Sequence, residues 1–394
     1  MNILSKPTGE RVPVFAISKL YVCKCGCLGR CSWDAVFKVL NWSFRALLAG
    51  KHPEIDPAGQ MLQDELLKGL AGKDLGFHAF FMQFRGDWPF LKSLFSFPSW
   101  SSSAICWCCK ADKGEHNYKN CGENASWRKL RVSAEEFFRL LRAMGLTPSP
   151  LFEAPGMRLA FVLLDWLHVV DLGVLQDLLG CLFMEAILHG LDGRNKEIRL
   201  KKLWDLIKEY YEITKPPCRL DMLTKEMFHT AKKSPKLKAK GAETRHLLPF
   251  GALFAKQMAN KHQTQHWQAV ASVFHFMLEC AKCIATVQFE FVHLGDCSRT
   301  LCVQWGALED EAISKGLLIW VRKPKFHLFQ ELCEFQAEEF GSPESFWTYR
   351  DESWCGHMAT AAKRRGGQKH ASTVPERLLS RFRAMQTEDV NVKL

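Results

Sequence analysis

Between Trp33 and Leu48 the apolar residues Val36, Phe37, Leu40, Phe44, Leu47 and Leu48 recur at three- and four-residue spacings, the signature of an amphipathic helix. The same periodicity predicts helices over residues 134–144, 172–188, 196–211, 267–285 and 326–340. A last helix is predicted over 375–386, with Pro375 suited to its first turn. Sheet signals are confined to the beginning of the chain. Residues 12–22 read as a strand, and the run FHAFFMQFR (77–85) reads as a strand covered on both faces, being almost continuously apolar. This second strand ends on Gly86-Asp87 and leads into a helix candidate at 88–97. Residues 51–76, rich in Gly, Pro and charge, read as a loop around one short helix. Residues 232–240 hold five lysines around Pro235 and also read as a loop. The pattern predicts an α+β chain that is mainly helical, without internal repeats.

Composition narrows the classes. The chain has 394 residues, including 28 Phe and 13 Trp, enough for a large aromatic core and unlike a disordered, collagenous or rod-like protein. Its net charge of +11 favours an acidic partner, of which nucleic acid is the commonest. The first fourteen residues contain Lys6, Glu10 and Arg11 and no apolar run of signal-peptide length, so an intracellular location, nuclear or cytoplasmic and not secreted, is expected. The 16 cysteines should then be reduced, and clustered ones read as metal ligands before disulfides. The most apolar stretch, 159–191, contains Asp165, His168, Asp171, Asp177 and Glu185, too many ionisable groups for a membrane span.

Two cysteine clusters carry candidate metal chemistry. Cys23, Cys25, Cys27 and Cys31 fall within nine residues, and Gly26 and Gly29 allow the chain to fold back so that four sulfurs converge. Against zinc stand the single-residue gaps, which also suit a flexible thiol-rich loop. Cys106 and Cys109 form a Cys-x-x-Cys knuckle, with His116 and Cys121 downstream as completing ligands. A buried reduced turn capped by Trp107 is the alternative there. Asp165 and His168, three apart, share a helical face on which the carboxylate orients the imidazole or both meet a metal; a helix cap beside a core histidine is the plainer reading. Three basic tracts suit phosphate contacts: Lys232, Lys236, Lys238 and Lys240; Lys323 and Lys325; Arg364 and Arg365. Each is also what a solvated surface loop looks like.

In order and spacing these segments resemble a known family. FRGDWPFLKSLFSFPSW followed by CWCC looks like the acidic and Cys-x-x-Cys blocks of CACTA-type cut-and-paste DNA transposases. LLDWLHVVDLGV is similar to their Asp-x-x-His block, KGAETRHLLP to a later block, and RKPKFHLFQEL with FWTYRDES to the terminal block with its last glutamate. The transposase-like reading frames of dinoflagellates look most similar, sharing the CxCxCxxxC stretch before a helix with Asn41-Trp42-Ser43-Phe44. The resemblance spans residues 12–365. It implies a partial ribonuclease-H-like core with a large helical insertion and a zinc knuckle. In such a site carboxylates hold two magnesium ions that activate an attacking oxygen and stabilise the leaving oxygen of a phosphodiester. Carried over by motif, Asp87 is the second acid and Glu352 the third, supported by Asp165 and His168.

The family's first acid has no counterpart: Asp34, Asp56, Asp64 and Asp74 precede Asp87, but none ends a convincing strand. The expectation is therefore a transposase-derived DNA-binding protein that is catalytically incomplete, with structural zinc, and magnesium only if active. The alternative is a non-enzymatic, zinc-stabilised nucleic-acid-binding or interaction protein. Self-association is compatible with either. The expected organisation is a core part with the first cluster (1–100), a knuckle (101–132), a helical insertion (133–320) and C-terminal helices carrying the last acid (321–394).

Overall fold

The computed structural model describes residues 15–228, 233–364 and 372–380. Helix α1 (Arg30–Ala49) realises the first periodic segment and buries Phe37, Leu40 and Phe44; it lies between Gly29 and Gly50, both in the left-handed region. The short α2 (Glu65–Leu70), capped by Asp64, is the single helix of the 51–76 loop.

The sheet is much smaller than the sequence suggests. Strand β1 is two residues, Phe84–Arg85, and residues 15–22 carry a 3-10 turn instead of a strand. Phe77, Phe80 and Met82 are exposed, so the apolar run is not the covered strand its composition implies. A strand exists only where a neighbour accepts its hydrogen bonds, and apolar content cannot supply that neighbour. After β1, Asp87 caps α3 (Trp88–Phe95), accepting the Phe90 N–H at 2.7 Å, with Pro89 in the first turn.

Helix α4 (Ala134–Ala143) follows, capped by Ser133. Strand β2 (Val162–Leu163) then pairs parallel to β1, Phe84 opposite Val162 and Arg85 opposite Leu163. The chain next enters one continuous helix, Leu167–Gly190, made of α5 (Leu175–Glu185) between two wider π-helical segments. Among the described residues it is the one helix long and apolar enough to cross a bilayer, but it is buried among the other helices. Its ionic groups are satisfied there: Asp177 meets Lys323 at 2.7 Å, and Glu185 meets His266 and the Trp320 indole.

The remainder is helical: α6 (Lys196–Thr214), α7 (Gly241–His262), α8 (Gln265–Ala285), α9 (Phe291–Ser314) and α10 (Pro324–Gln330). Helix α10 continues through a π-helical turn, Glu331–Gln336, into α11 (Ala337–Phe340), and α12 (Tyr349–Arg364) ends the series. Residues 374–380 are helical and include the described part of the last predicted helix, 375–380. Helices α7, α8 and α9 pack in succession, and α7 and α9 appear where no periodic stripe was read. Helix α7 contains Pro249, and α9 buries polar Ser298 and Glu309 within its core face, so neither shows a clean apolar repeat.

One contiguous apolar cluster runs from Phe37 on α1 to Phe346 before α12, through the knuckle residues Trp107 and Trp127. Ion pairs clamp the knuckle segment to the late helices. Lys119 and Arg322 share Glu309, each at 2.5 Å, Arg128 grips Glu334, and Arg131 binds Glu331 with two parallel 2.8 Å bonds. The carboxylates of Glu309, Glu331 and Glu334 are almost wholly buried, so losing a partner from any pair costs far more than the pair itself contributes.

Candidate metal centre and acidic site

The knuckle turn is held by backbone bonds. The Lys110 N–H donates to Leu130 O and the Val132 N–H to Cys108 O, while the Cys108 N–H points at Cys106 Sγ, 3.3 Å away. Cys106 and Cys109 are therefore presented on the same side of a pinned loop. The residues that join them are not the predicted pair. His116 is engaged with Ser126 Oγ at 3.0 Å, and the Cys121 thiol donates to Lys119 O at 3.4 Å. Their places are taken by His327 and Glu331 from α10 and its continuation. One ligand atom each of Cys106, Cys109, His327 and Glu331 lies within 4.8 Å of the other three, and all four residues are buried.

His327 Nε2 is 3.3 Å from Cys109 Sγ and 3.6 Å from Glu331 Oε1. Arg131 holds Glu331 in place, and the Trp127 ring stands edge-on to the imidazole at 4.4 Å. Burial opposes charge on the imidazole, yet the Cys106 thiolate and the Glu331 carboxylate more than offset it and raise the His327 pKa. Two soft sulfurs, an imidazole and a carboxylate converging in a dry site form a donor set suited to tetrahedral zinc. The signal was present in the sequence: His327-x3-Glu331 lies at helical i, i+4 spacing within the predicted 326–340 helix.

The second thiol group does assemble. Cys23, Cys25, Cys27 and Cys31 bring their sulfurs within 4.8 Å of one another, each exposed or half-buried. Gly26, Leu28 and Gly29 all adopt positive φ, wrapping the loop round the start of α1. The Cys31 N–H donates to Cys27 Sγ, and that bond, with one from Cys25, lowers the Cys27 pKa to about 6.

The acidic residues meet at the ends of the two strands. Asp87 stands two positions past β1 and Asp165 two past β2, so parallel pairing sets both at the same edge. Asp165 is buried and accepts from Thr348 N (2.8 Å), Thr348 Oγ1 (2.7 Å) and His168 N (3.0 Å), capping the long helix and tying it to the entry of α12. His168 Nδ1 lies 2.5 Å from Asp165 Oδ2, and its Nε2 lies 2.9 Å from Glu352 Oε1. Asp165 therefore caps the helix and orients the imidazole at once. Burial disfavours the imidazolium, but Asp165, Glu352 and Asp87 outweigh it and raise the His168 pKa.

Asp87, His168 and Glu352 line a common cleft of about 480 Å³, with Arg85 pairing Asp351 at its side. Thr348, Tyr349 and Asp171 complete the support. The Tyr349 hydroxyl donates to Asp171 Oδ2 at 2.8 Å, a connection no local pattern announces.

The basic residues divide. Lys238, Lys240 and Arg364 are exposed, whereas Lys236, Lys323 and Lys325 turn inward. Lys236 donates to Leu172 O, Lys323 to Asp177, and Lys325 to His168 O (2.5 Å) and Leu172 O (3.3 Å). The first two tracts are thus not uniformly solvated faces. Lys232 and Arg365 lie outside the described residues. Compared with known proteins, the chain matches no family model, no curated protein and no solved structure.

Proposed function

We propose that this is a metal-stabilised nucleic-acid-binding protein whose acidic cleft is of the phosphodiester-processing type found in cut-and-paste transposases. The observation that carries the reading is the strand pair. Two parallel strands each deliver an acid at the same edge, and a helical glutamate from the far end of the chain returns to it through His168. That convergence is what a partial ribonuclease-H-like core requires, and local propensity does not demand it. Zinc bound by Cys106, Cys109, His327 and Glu331 would lock the knuckle to α10, with Cys23, Cys25, Cys27 and Cys31 as a second, more exchangeable zinc site.

Asp87 and Glu352 are the residues that would hold magnesium, which when bound supplies charge for an attacking and a leaving phosphate oxygen. Each carboxylate already has one oxygen engaged, Asp87 by the Phe90 N–H and Glu352 by His168. These contacts orient both acids. They also support the second reading, binding without catalysis, because His168 occupies an oxygen that a metal would need. The deciding experiment measures duplex DNA binding across a salt series, then magnesium-dependent nicking, for wild type, Asp87→Asn and Glu352→Gln. Nicking lost in both variants supports the transposase-type site, and binding without nicking supports the second reading. Absence of salt-sensitive binding refutes both.

A further inference from the structure

We infer that a second cleft, on the opposite side of Asp87 and His168, is a nucleotide subsite that stacks one base against Trp100 and Trp88 and holds its phosphate with Lys325; it rests on the nucleic-acid reading above. The cleft has a volume of about 500 Å³, within the range of small-molecule sites. Asp87 and His168 line this cleft and the acidic one alike, so they form the wall between the two. A strand passing over that wall would set a phosphodiester at the acids and the neighbouring nucleotide in the second cleft.

The walls suit a base. Trp100 is 57% exposed, a large cost for an indole left at the surface. The Trp88 indole is held by its N–H bond to Pro98 O at 2.9 Å, and the buried Trp107 ring stands 6.5 Å behind it. Aromatic faces at an open cleft bind bases with little regard for sequence.

The polar end suits a phosphate. An ammonium carries three N–H donors. Lys325 directs two at carbonyls of the long helix, which fixes its position and leaves the third for a ligand. Gly173 makes this placement possible: a Cβ there would lie 2.5 Å from Lys325 Cδ. Lys92 adds a second cation to the lining.

The test uses the full chain and 2-aminopurine deoxyribonucleoside monophosphate, whose fluorescence is quenched on stacking. Saturable quenching is expected, weakened about tenfold by Trp100→Ala, in line with removal of one stacking face. The corresponding nucleoside, lacking phosphate, should bind more weakly than the monophosphate to wild type and equally to Lys325→Met. Because Lys325 is structural as well, Lys92→Gln serves as the milder cation variant and should lose part of the same phosphate preference. No quenching, or quenching that Trp100→Ala leaves unchanged, overturns the subsite. Duplex binding is measured in parallel on the wild type. Salt-sensitive duplex binding without quenching refutes the subsite alone, and quenching without duplex binding keeps the subsite and refutes the wider reading.

Discussion

His168 Nε2 lies 2.9 Å from Glu352 Oε1, and the same imidazole is bound through Nδ1 to Asp165. One ring therefore joins the end of β2, the start of the long helix and the first turn of α12. Because Thr348 also binds Asp165, the position of Glu352 is set from both sides of the connection.

His168 should make stability depend on pH above the ordinary imidazole range. Its folded pKa is raised, so its contribution is complete below the ordinary imidazole value near 6.5 and is lost as pH rises through the folded value. Thermal melts of wild type and His168→Gln should converge as pH increases from 6 to 9. A constant difference across that range would show that the imidazole is held neutral. Thr348→Val, which removes one donor from buried Asp165, should cost about 1–2 kcal/mol at every pH in the range.

Metal content separates the two thiol clusters. Cys109→Ser and His327→Ala should each remove one equivalent of zinc and lower the melting temperature sharply, because the site pins buried elements together. His116→Ala and Cys121→Ser should leave the zinc count unchanged. A mild chelator should strip the exposed Cys23 group first, and Cys25→Ser should abolish that chelator-sensitive fraction. Elemental analysis and cobalt substitution read all of these outcomes.

Asp171 should oppose stability at neutral pH. Burial pushes its carboxyl up to about 7, partly countered by Arg245 and Tyr349. A raised carboxyl pKa means the folded state holds the extra proton, so stability falls as pH rises from about 4 to about 7. Asp171→Asn keeps an acceptor for the Tyr349 hydroxyl and removes the penalty. The variant should gain stability relative to wild type between pH 5 and pH 8, by a few kcal/mol at most.

Glycine substitutions report the packing directly. A Cβ at Gly180 would lie 2.6–2.7 Å from the backbone of Lys236 and Leu237, which cannot swing aside. Gly180→Ala should cost about 1–3 kcal/mol. At Gly356 in α12 a Cβ meets nothing within 4 Å, and Gly356→Ala should stabilise by about 0.5–1 kcal/mol. Denaturant melts of the two variants should move in opposite directions.

Nucleic-acid affinity should track the exposed cations. Neutralising Lys238, Lys240 and Arg364 should reduce the salt slope of duplex binding by about one unit for each phosphate left without its cation. Neutralising Lys323, which is spent on Asp177, should lower stability with little change in slope. An unchanged slope in the triple variant would place the interface elsewhere.

Helices whose apolar stripe faces one large core were legible in the chain itself, because burial of a 3.6-residue repeat is a local pattern. Residues 33–48, 134–144 and 196–211 are helical within two or three residues of expectation. So was the convergence of Cys23, Cys25, Cys27 and Cys31, where glycines and short spacing leave the sulfurs little choice. The sequence also determined the chemistry available, with acids, imidazole and thiols each in its own segment. Tertiary structure decided which of them meet. Cys106 and Cys109 lie near His116 and Cys121 in sequence, yet α10 brings His327 and Glu331 across, because Arg131 and the aromatic core hold that helix against the knuckle. The 77–85 run is apolar enough for a strand, but only two residues find a partner in β2. Lysines 236, 323 and 325 read as surface charge suited to phosphate, yet carbonyls and Asp177 draw them inward, since a buried acceptor without a donor costs more than a desolvated ammonium that has found one. Local sequence sets what each segment prefers; which segment supplies the missing partner is settled only when the whole core packs.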